Sequence, residues 1–322
     1  MNAKWSGFFC CLAGVMATAV LSAEEKPVAG WSWVRTESSL ALRGAGGIVW
    51  QLVADPEKPK TYFHPLATVD GEVLTAFEPS DHRWHRGLWW SWKTINGVNY
   101  WEEDPRTGAS AGRTELTEAK FFPGDDFKAR AELRFRYHAA GQPPVMTEVR
   151  QLEISAPDEE GAYTIDWTAE FTAAGTGPVV LDRTPPPSRG GPGHGGYAGL
   201  SVRFPRDLEG WAFRSSEGIA KAGDGHGRPA RWVDFSGPKA GVAVFGHPTN
   251  LRHPQPWYLS DKPSLLFFNP AILFDEPLEL AAGATMTLRY RVLVHSKPVT
   301  TEQLETAWRS FAGEASRRDD RR

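Results

Sequence analysis

Along much of this chain, apolar and polar residues alternate one by one. In "FKARAELRFRYHA", Phe127, Ala129, Ala131, Leu133, Phe135 and Tyr137 are apolar, and Lys128, Arg130, Glu132, Arg134 and Arg136 between them are charged. Successive side chains of a strand point to opposite faces, so period two over this length predicts a long antiparallel strand with one wet face. "YTIDWTAEFTA" repeats the pattern through Ile165, Trp167, Ala169 and Phe171, and "MTLRYRVLVH" through Leu288, Tyr290, Val292 and Val294. Shorter strands are expected at 31–36, 47–53, 146–154, 199–204, 231–235, 241–245 and 265–268. The period becomes helical only near the end. There Thr300-Thr301-Glu302 can cap a helix over about 301–312, with Leu304, Ala307, Trp308 and Phe311 on one face. Many antiparallel strands closed by one late helix predict an all-β fold, a large β-sandwich.

The first residues stand outside this pattern. Lys4 precedes an apolar run from Trp5 to Val20, and Leu21-Ser22-Ala23 offers small residues just before Glu24-Glu25-Lys26. That is the layout of a secretory signal peptide over 1–23, cleaved after Ala23, and it is too short for a stable span. The expected product is periplasmic or secreted, with no membrane span after cleavage. Cys10 and Cys11, the only cysteines, fall in the removed segment, so the mature chain offers neither disulfide nor thiolate. Residues 24–313 read as a single β-sandwich domain and 314–322 as a charged, frayed tail. "TPPPSRGGPGHGGYAG" at 184–199 is a long Gly/Pro-rich loop within that domain, a lid or a plain connection. The net charge of −3, with dispersed basic residues, argues against a nucleic-acid partner. Hydrophobic content of 41% supplies a core, and the 14 tryptophans exceed ordinary usage.

Chemistry concentrates in "EPSDHRWHRGLWWSWKTINGVNYWEED", residues 78–104. Glu78-Pro79-Ser80-Asp81 opens a turn, since Pro presets φ and Ser and Asp bond nearby backbone. His82, Arg83, Trp84, His85, Arg86 and Gly87 share the loop that follows, and "GLWWSW" enters a strand. That strand should put Leu88, Trp90 and Trp92 on one face and Trp89 and Ser91 on the other. Histidines on a surface loop anchored by a rigid strand are placed to act as general acid or base, and His82 and His85 are the catalytic candidates. Arg86 or Arg203 could grip an anionic group through the guanidinium fork, and Trp89 or Trp101 could hold the apolar face of a sugar ring. The alternative is that the tryptophans are core and the histidines structural. His82 and His85 with His64 could also ligate zinc, copper or iron, although no acid is fixed beside them by a motif; no cofactor is otherwise called for. His194 stands in the glycine-rich loop, whereas His226, His247 and His253 read as turn residues. No Gly-x-Ser-x-Gly elbow, nucleotide loop or His-Glu-x-x-His helix is present, which removes those enzyme classes.

Four segments in order, "YFHPLATVDGEVLTAFEPSDHRWHRGLWWSWKTINGVNYWEE", "GGYAGLSVRF", "GVAVFGHPTN" and "LLFFNPAILFDEPLELAAGATMTLRYRVLVH", resemble an exported bacterial family of unknown function labelled PmoA-like or methane oxygenase. More distantly, "DHRWHRGLWWSW" followed by "LELAAGATMTLRYRVLVH" is similar to the layout of galactose mutarotase-type supersandwich proteins. That likeness implies a supersandwich acting on sugars, with a histidine protonating the ring oxygen and a C-terminal glutamate removing the anomeric proton. His85 or His194 would stand for the acid. The base position in "FFNPAILFDEP" is matched by Asn269, which cannot usefully accept a proton, leaving Asp275 or Glu276 to supply a carboxylate. The expected ligand is a small molecule or oligosaccharide. A hydrolase, lyase or epimerase and a non-catalytic carbohydrate-binding module both fit this pattern.

Overall fold

The computed structural model describes residues 30–206 and 208–319, the side chains of 314–319 excepted. The segment expected to be a signal peptide, with Cys10 and Cys11, lies outside the described residues. Two eight-stranded antiparallel sheets face each other. The first runs Ser32–Arg35, Ser39–Gly44, Gly47–Val53, Tyr62–Leu66, Leu88–Ser91, Gly199–Arg203, Leu265–Pro270, Trp257–Lys262. The second runs Ala212–Ser215, Trp232–Ser236, Gly241–Gly246, Thr285–His295, Tyr163–Ala173, Met146–Ile154, Ala129–Ala139, Gly112–Pro123. A small four-stranded sheet includes Val179–Asp182 and Leu278–Leu280. This is the large antiparallel β-sandwich that the alternation predicts.

The core lies between the two large sheets and follows from period two. Leu133, Phe135 and Tyr137 from one strand, Ile165, Trp167 and Phe171 from the next, and Leu288, Tyr290 and Val292 from a third are all buried in it. They meet Leu88, Trp90, Leu200, Val202 and Phe268 from the first sheet. A charged pair sits inside this core: Arg150 donates to Glu148 from Nε and Nη2 at 2.6 and 3.0 Å. The Tyr137 hydroxyl also donates to Glu148, and the guanidinium lies 4.3 Å from the Phe135 ring centre and 4.6 Å from that of Trp167.

Two kinds of strand escape a search for alternation. Ser39-Leu40-Ala41-Leu42 is buried on both faces, so its sequence does not alternate. The twelve-residue strand Gly112–Pro123 carries a bulge between Leu116 and Glu118, which adds one residue and reverses the phase. Leu116 and Ala119, three apart, therefore both pack on the core.

The last helix spans Thr301–Asp319, longer than the expected 301–312. Its start is a capping box, with Gln303 N–H donating to the Thr300 hydroxyl at 3.1 Å and Thr300 N–H to the Gln303 side chain at 2.7 Å. Leu304 and Phe311 pack with Trp232, Ala243 and Phe245 on the outer face of the second sheet. That leaves the outer face of the first sheet open for other use. No helix among the described residues is long and apolar enough to cross a membrane.

Candidate functional site

Strand Leu88–Ser91 divides its side chains as the alternation predicts. Leu88, Trp90 and Trp92 enter the main core, while Trp89 turns to the outer face of the first sheet. Its register partners there are Tyr62 and Ser201. Arg203 pairs with Phe267, and Asn269 with Tyr258, on the same face. A second aromatic cluster of Tyr62, Trp89, Trp101, Tyr258, Phe267 and Phe274 covers it, with Trp84 and Tyr197 packed alongside.

The loop that carries His82 and His85 is a closed hairpin. Phe77 bridges Arg86, and Glu78 N–H donates to the His85 carbonyl at 2.9 Å. Two tight turns inside it, His82 N–H to Pro79 and His85 N–H to His82 (both 2.9 Å), stack the two imidazoles with ring centres 4.6 Å apart. Gly87 ends the hairpin at φ +66, where a Cβ would meet the Phe63 carbonyl oxygen at 2.4 Å, so the chain can press on the neighbouring strand only with glycine there.

A cavity of about 540 Å³ opens above this face, within the range typical of ligand pockets. Among its lining are Asp81, His82, His85, Trp101, Glu102 and His194, with Tyr197, Tyr258 and Lys262 around them. The fold thus brings His82, His85, His194 and Trp101 together. It places the other candidates elsewhere. His64 bonds Thr75 at 3.0 Å and stacks on Phe77. Trp89 lies wholly buried beneath His85, so it is no exposed platform, and Trp101, at 2% exposure, offers the cavity no more than an edge. Arg86 is engaged by Glu78 and by Glu103 (2.5 Å), and Glu103 also takes Lys60 at 2.5 Å. Arg86 is therefore a structural cation. Asn269 donates to the carbonyls of Ala198 and Leu200 and accepts from Ala198 N–H at 3.2 Å, which ties two strands together below the cavity. Asp275 pairs with Arg189 and Glu276 with Arg252 at the surface, so neither supplies the expected base. Arg203 lies under the cavity, its Nη2 donating to Asp81 at 2.9 Å and to the Ser264 carbonyl at 3.0 Å.

The carboxylates that do reach the cavity are Asp81 and Glu102. Burial would raise the Asp81 carboxyl, but hydrogen bonds from His82 and Arg203, with the Arg203 charge, hold it well below the usual range. Because an ionised carboxylate only accepts, the Asp81–His82 contact at 2.8 Å makes His82 Nδ1 the donor. His82 Nε2 is then the basic nitrogen. Glu102 is likewise desolvated, yet Lys93 at 2.5 Å and Asn99 at 2.7 Å keep its carboxyl below the usual range. The Tyr197 hydroxyl donates to it at 3.3 Å. Asp81 reads in sequence only as a turn former, its one local signal being the adjoining His82, and Glu102 is not singled out.

His85 is 4% exposed, stacked between His82 and Phe267, and its Nδ1 is buried without a partner. It is not the exposed loop residue that the sequence suggests. Burial first, then the charges of His82, Arg203 and Lys60, drive it well below the ordinary histidine range, so it is neutral at pH 7. In the unfolded chain a histidine titrates near 6.5, so the unfolded state binds the extra proton below that pH. The contribution to stability is thus complete above about pH 6.5 and is lost as the pH falls towards the lower folded value. Burial lowers His64, His226 and His253 in the same direction. Thermal melts from about pH 7.5 to 5 are expected to show a falling melting temperature, with a shallower fall in His85→Phe. Parallel curves for the two proteins would reject this role for His85. No cluster of three or more metal-ligating side chains with metal-site geometry occurs among the described residues.

A family described as a family of unknown function (DUF6807) matches residues 39–309, most of the chain. The PmoA-like label is not part of that description. The curated proteins contain no match. Among solved structures, the galactosidase domain of an alpha-galactosidase-sucrose kinase is 10% identical at a TM-score of 0.42, covering 82% of this chain and 42% of that one. The Slr1438 protein from Synechocystis sp. PCC 6803 is also 10% identical at 0.42, covering 85% of this chain and 100% of that one. A polysaccharide lyase is 10% identical at 0.29, covering 84% and 33%. The chain spans less than half the length of the first and third of these.

Proposed function

As the chain belongs to the DUF6807 family, whose function is unknown, we propose its function from the cavity itself: an exported carbohydrate-active enzyme using Asp81, His82 and His85. The observation that carries this reading is one juxtaposition, an aromatic-walled pocket of sugar-accommodating size with an Asp-oriented imidazole in its wall. Aromatic walls suit the C–H faces of a sugar ring, and the carboxylate Glu102 can accept its hydroxyl groups. Asp81 fixes the His82 tautomer and stabilises the imidazolium that forms when Nε2 takes a proton, as an orienting carboxylate does for a catalytic base. Neutral His85, stacked on it, offers a second nitrogen without a competing charge. Hydrolysis, elimination and epimerisation all need such a proton carrier.

The test is a panel of mono- and oligosaccharides scored for products by chromatography and for binding by tryptophan fluorescence. Binding of at least one saccharide is expected to quench the emission of Trp84 and Trp101, both of which line the cavity. Turnover of the same sugar should then appear in the product assay. Binding without any product would favour a carbohydrate-binding module, and no binding across the panel would reject the sugar reading.

A further inference from the structure

The two ends of the cavity differ in charge. At one end Glu102 is matched by Lys93 and by hydrogen bonds from Asn99 and Tyr197. At the other, Asp81 bonds two arginines, Arg203 from below at 2.9 Å and the exposed Arg206 at 3.0 Å, and Lys262 lines the same cavity. Among the described residues Lys262 has no ion-pair partner. Arg203 adds a second and independent observation: it is wholly buried, and its Nε and Nη1 have no hydrogen-bond partner. A guanidinium has five N–H groups in a fork suited to oxyanions, and leaving buried donors unmatched is costly. Its one engaged nitrogen, Nη2, holds Asp81 and the Ser264 carbonyl, and both of those residues line the cavity. The unfilled donors themselves are buried below the cavity, next to the end where Asp81 and Lys262 line it.

We propose that the sugar bound here is anionic, its acid group seated beside Asp81 against Lys262, Arg206 and Arg203. This rests on the sugar reading above and narrows it to acidic saccharides. A carboxylate, as in a uronic acid, and a sulfate ester share the chemistry that these cations recognise. His82, bonded to Asp81, would then stand next to the acid group and not at the far end of the ring.

Isothermal titration with matched pairs tests the idea: methyl glucuronide against methyl glucoside, methyl galacturonide against methyl galactoside, and a sulfated sugar against its parent. At least one acidic member should bind about tenfold or more tightly than its neutral partner, and added salt should erode the difference. Which acid wins tells carboxylate from sulfate. Lys262→Met and Arg206→Met should each reduce the preference, and since both side chains are solvent-exposed the fold should survive, as checked by circular dichroism. Equal binding of neutral and acidic sugars would overturn the anionic assignment, and a preference that survives both substitutions together would overturn the seat against Lys262 and Arg206, with the sugar reading intact in either case. Binding of acetate or inorganic sulfate with no response to any sugar would retain the anion seat and remove the sugar reading. Silence towards every ligand would remove both.

Discussion

On the proposed sugar-active function, replacing His82 with alanine is expected to lower kcat by about 10²–10⁴-fold, the usual contribution of a positioned general acid or base. Affinity should change little, because the walls that contact the ring remain. Stability should also hold within about 1 kcal/mol, since the side chain is 33% exposed and Asp81 keeps both arginines when the imidazole is gone. His82→Asn should be as inactive as alanine, as an amide cannot carry the proton. Near-normal turnover in either variant would remove His82 from the chemistry. His85 is a poorer probe despite its place in the cavity wall. Its ring packs against Trp89 and Phe267, so truncation opens a hole among aromatic rings and mixes stability with activity.

Glu148→Ala is expected to cost about 3–5 kcal/mol of folding stability, the penalty for stranding a buried charge. Arg150, with 2% of its side chain exposed, gives two hydrogen bonds to Glu148 and faces the rings of Phe135 and Trp167. The Tyr137 hydroxyl donates to the same carboxylate, so the substitution frees three donors in a core without water access. Replacing the pair together, Glu148→Leu with Arg150→Met, should be milder, because no buried charge is stranded and only the Tyr137 hydroxyl loses its acceptor. Guanidinium denaturation of the three proteins separates these cases. A single variant that loses under about 1 kcal/mol, or a double variant that loses as much as the single, would contradict the account.

The sequence made the sandwich visible in its long strands with one wet face. Tyr163–Ala173 and Thr285–His295 lie where period two put them, and they pair residue by residue from Tyr163 with Val294 to Thr172 with Thr285. Two of the histidines it singled out, His82 and His85, line a cavity on the face to which Trp89 points. It missed Ser39–Gly44, which is buried on both faces at its start, and the bulged strand Gly112–Pro123, because neither keeps a single phase. The C-terminal helix was recognisable from its cap and its apolar stripe, both properties of a few neighbouring residues.

Alternation, capping and turn chemistry act between residues a few positions apart, so the chain by itself determined where its elements lie and which side chains share a face. What each face meets depends on strands and loops brought together from distant parts of the chain. That long-range assembly buried His85, paired Arg86 with Glu78 and Glu103, and used Asn269 to tie strands. It also carried Asp81 to Arg203, 122 residues away, and Tyr197 to Glu102, 95 residues away. Arginine, asparagine and histidine can each serve a ligand or satisfy a buried partner. Only tertiary packing decides between the two, because the partner's position is set by the fold and not by spacing along the chain.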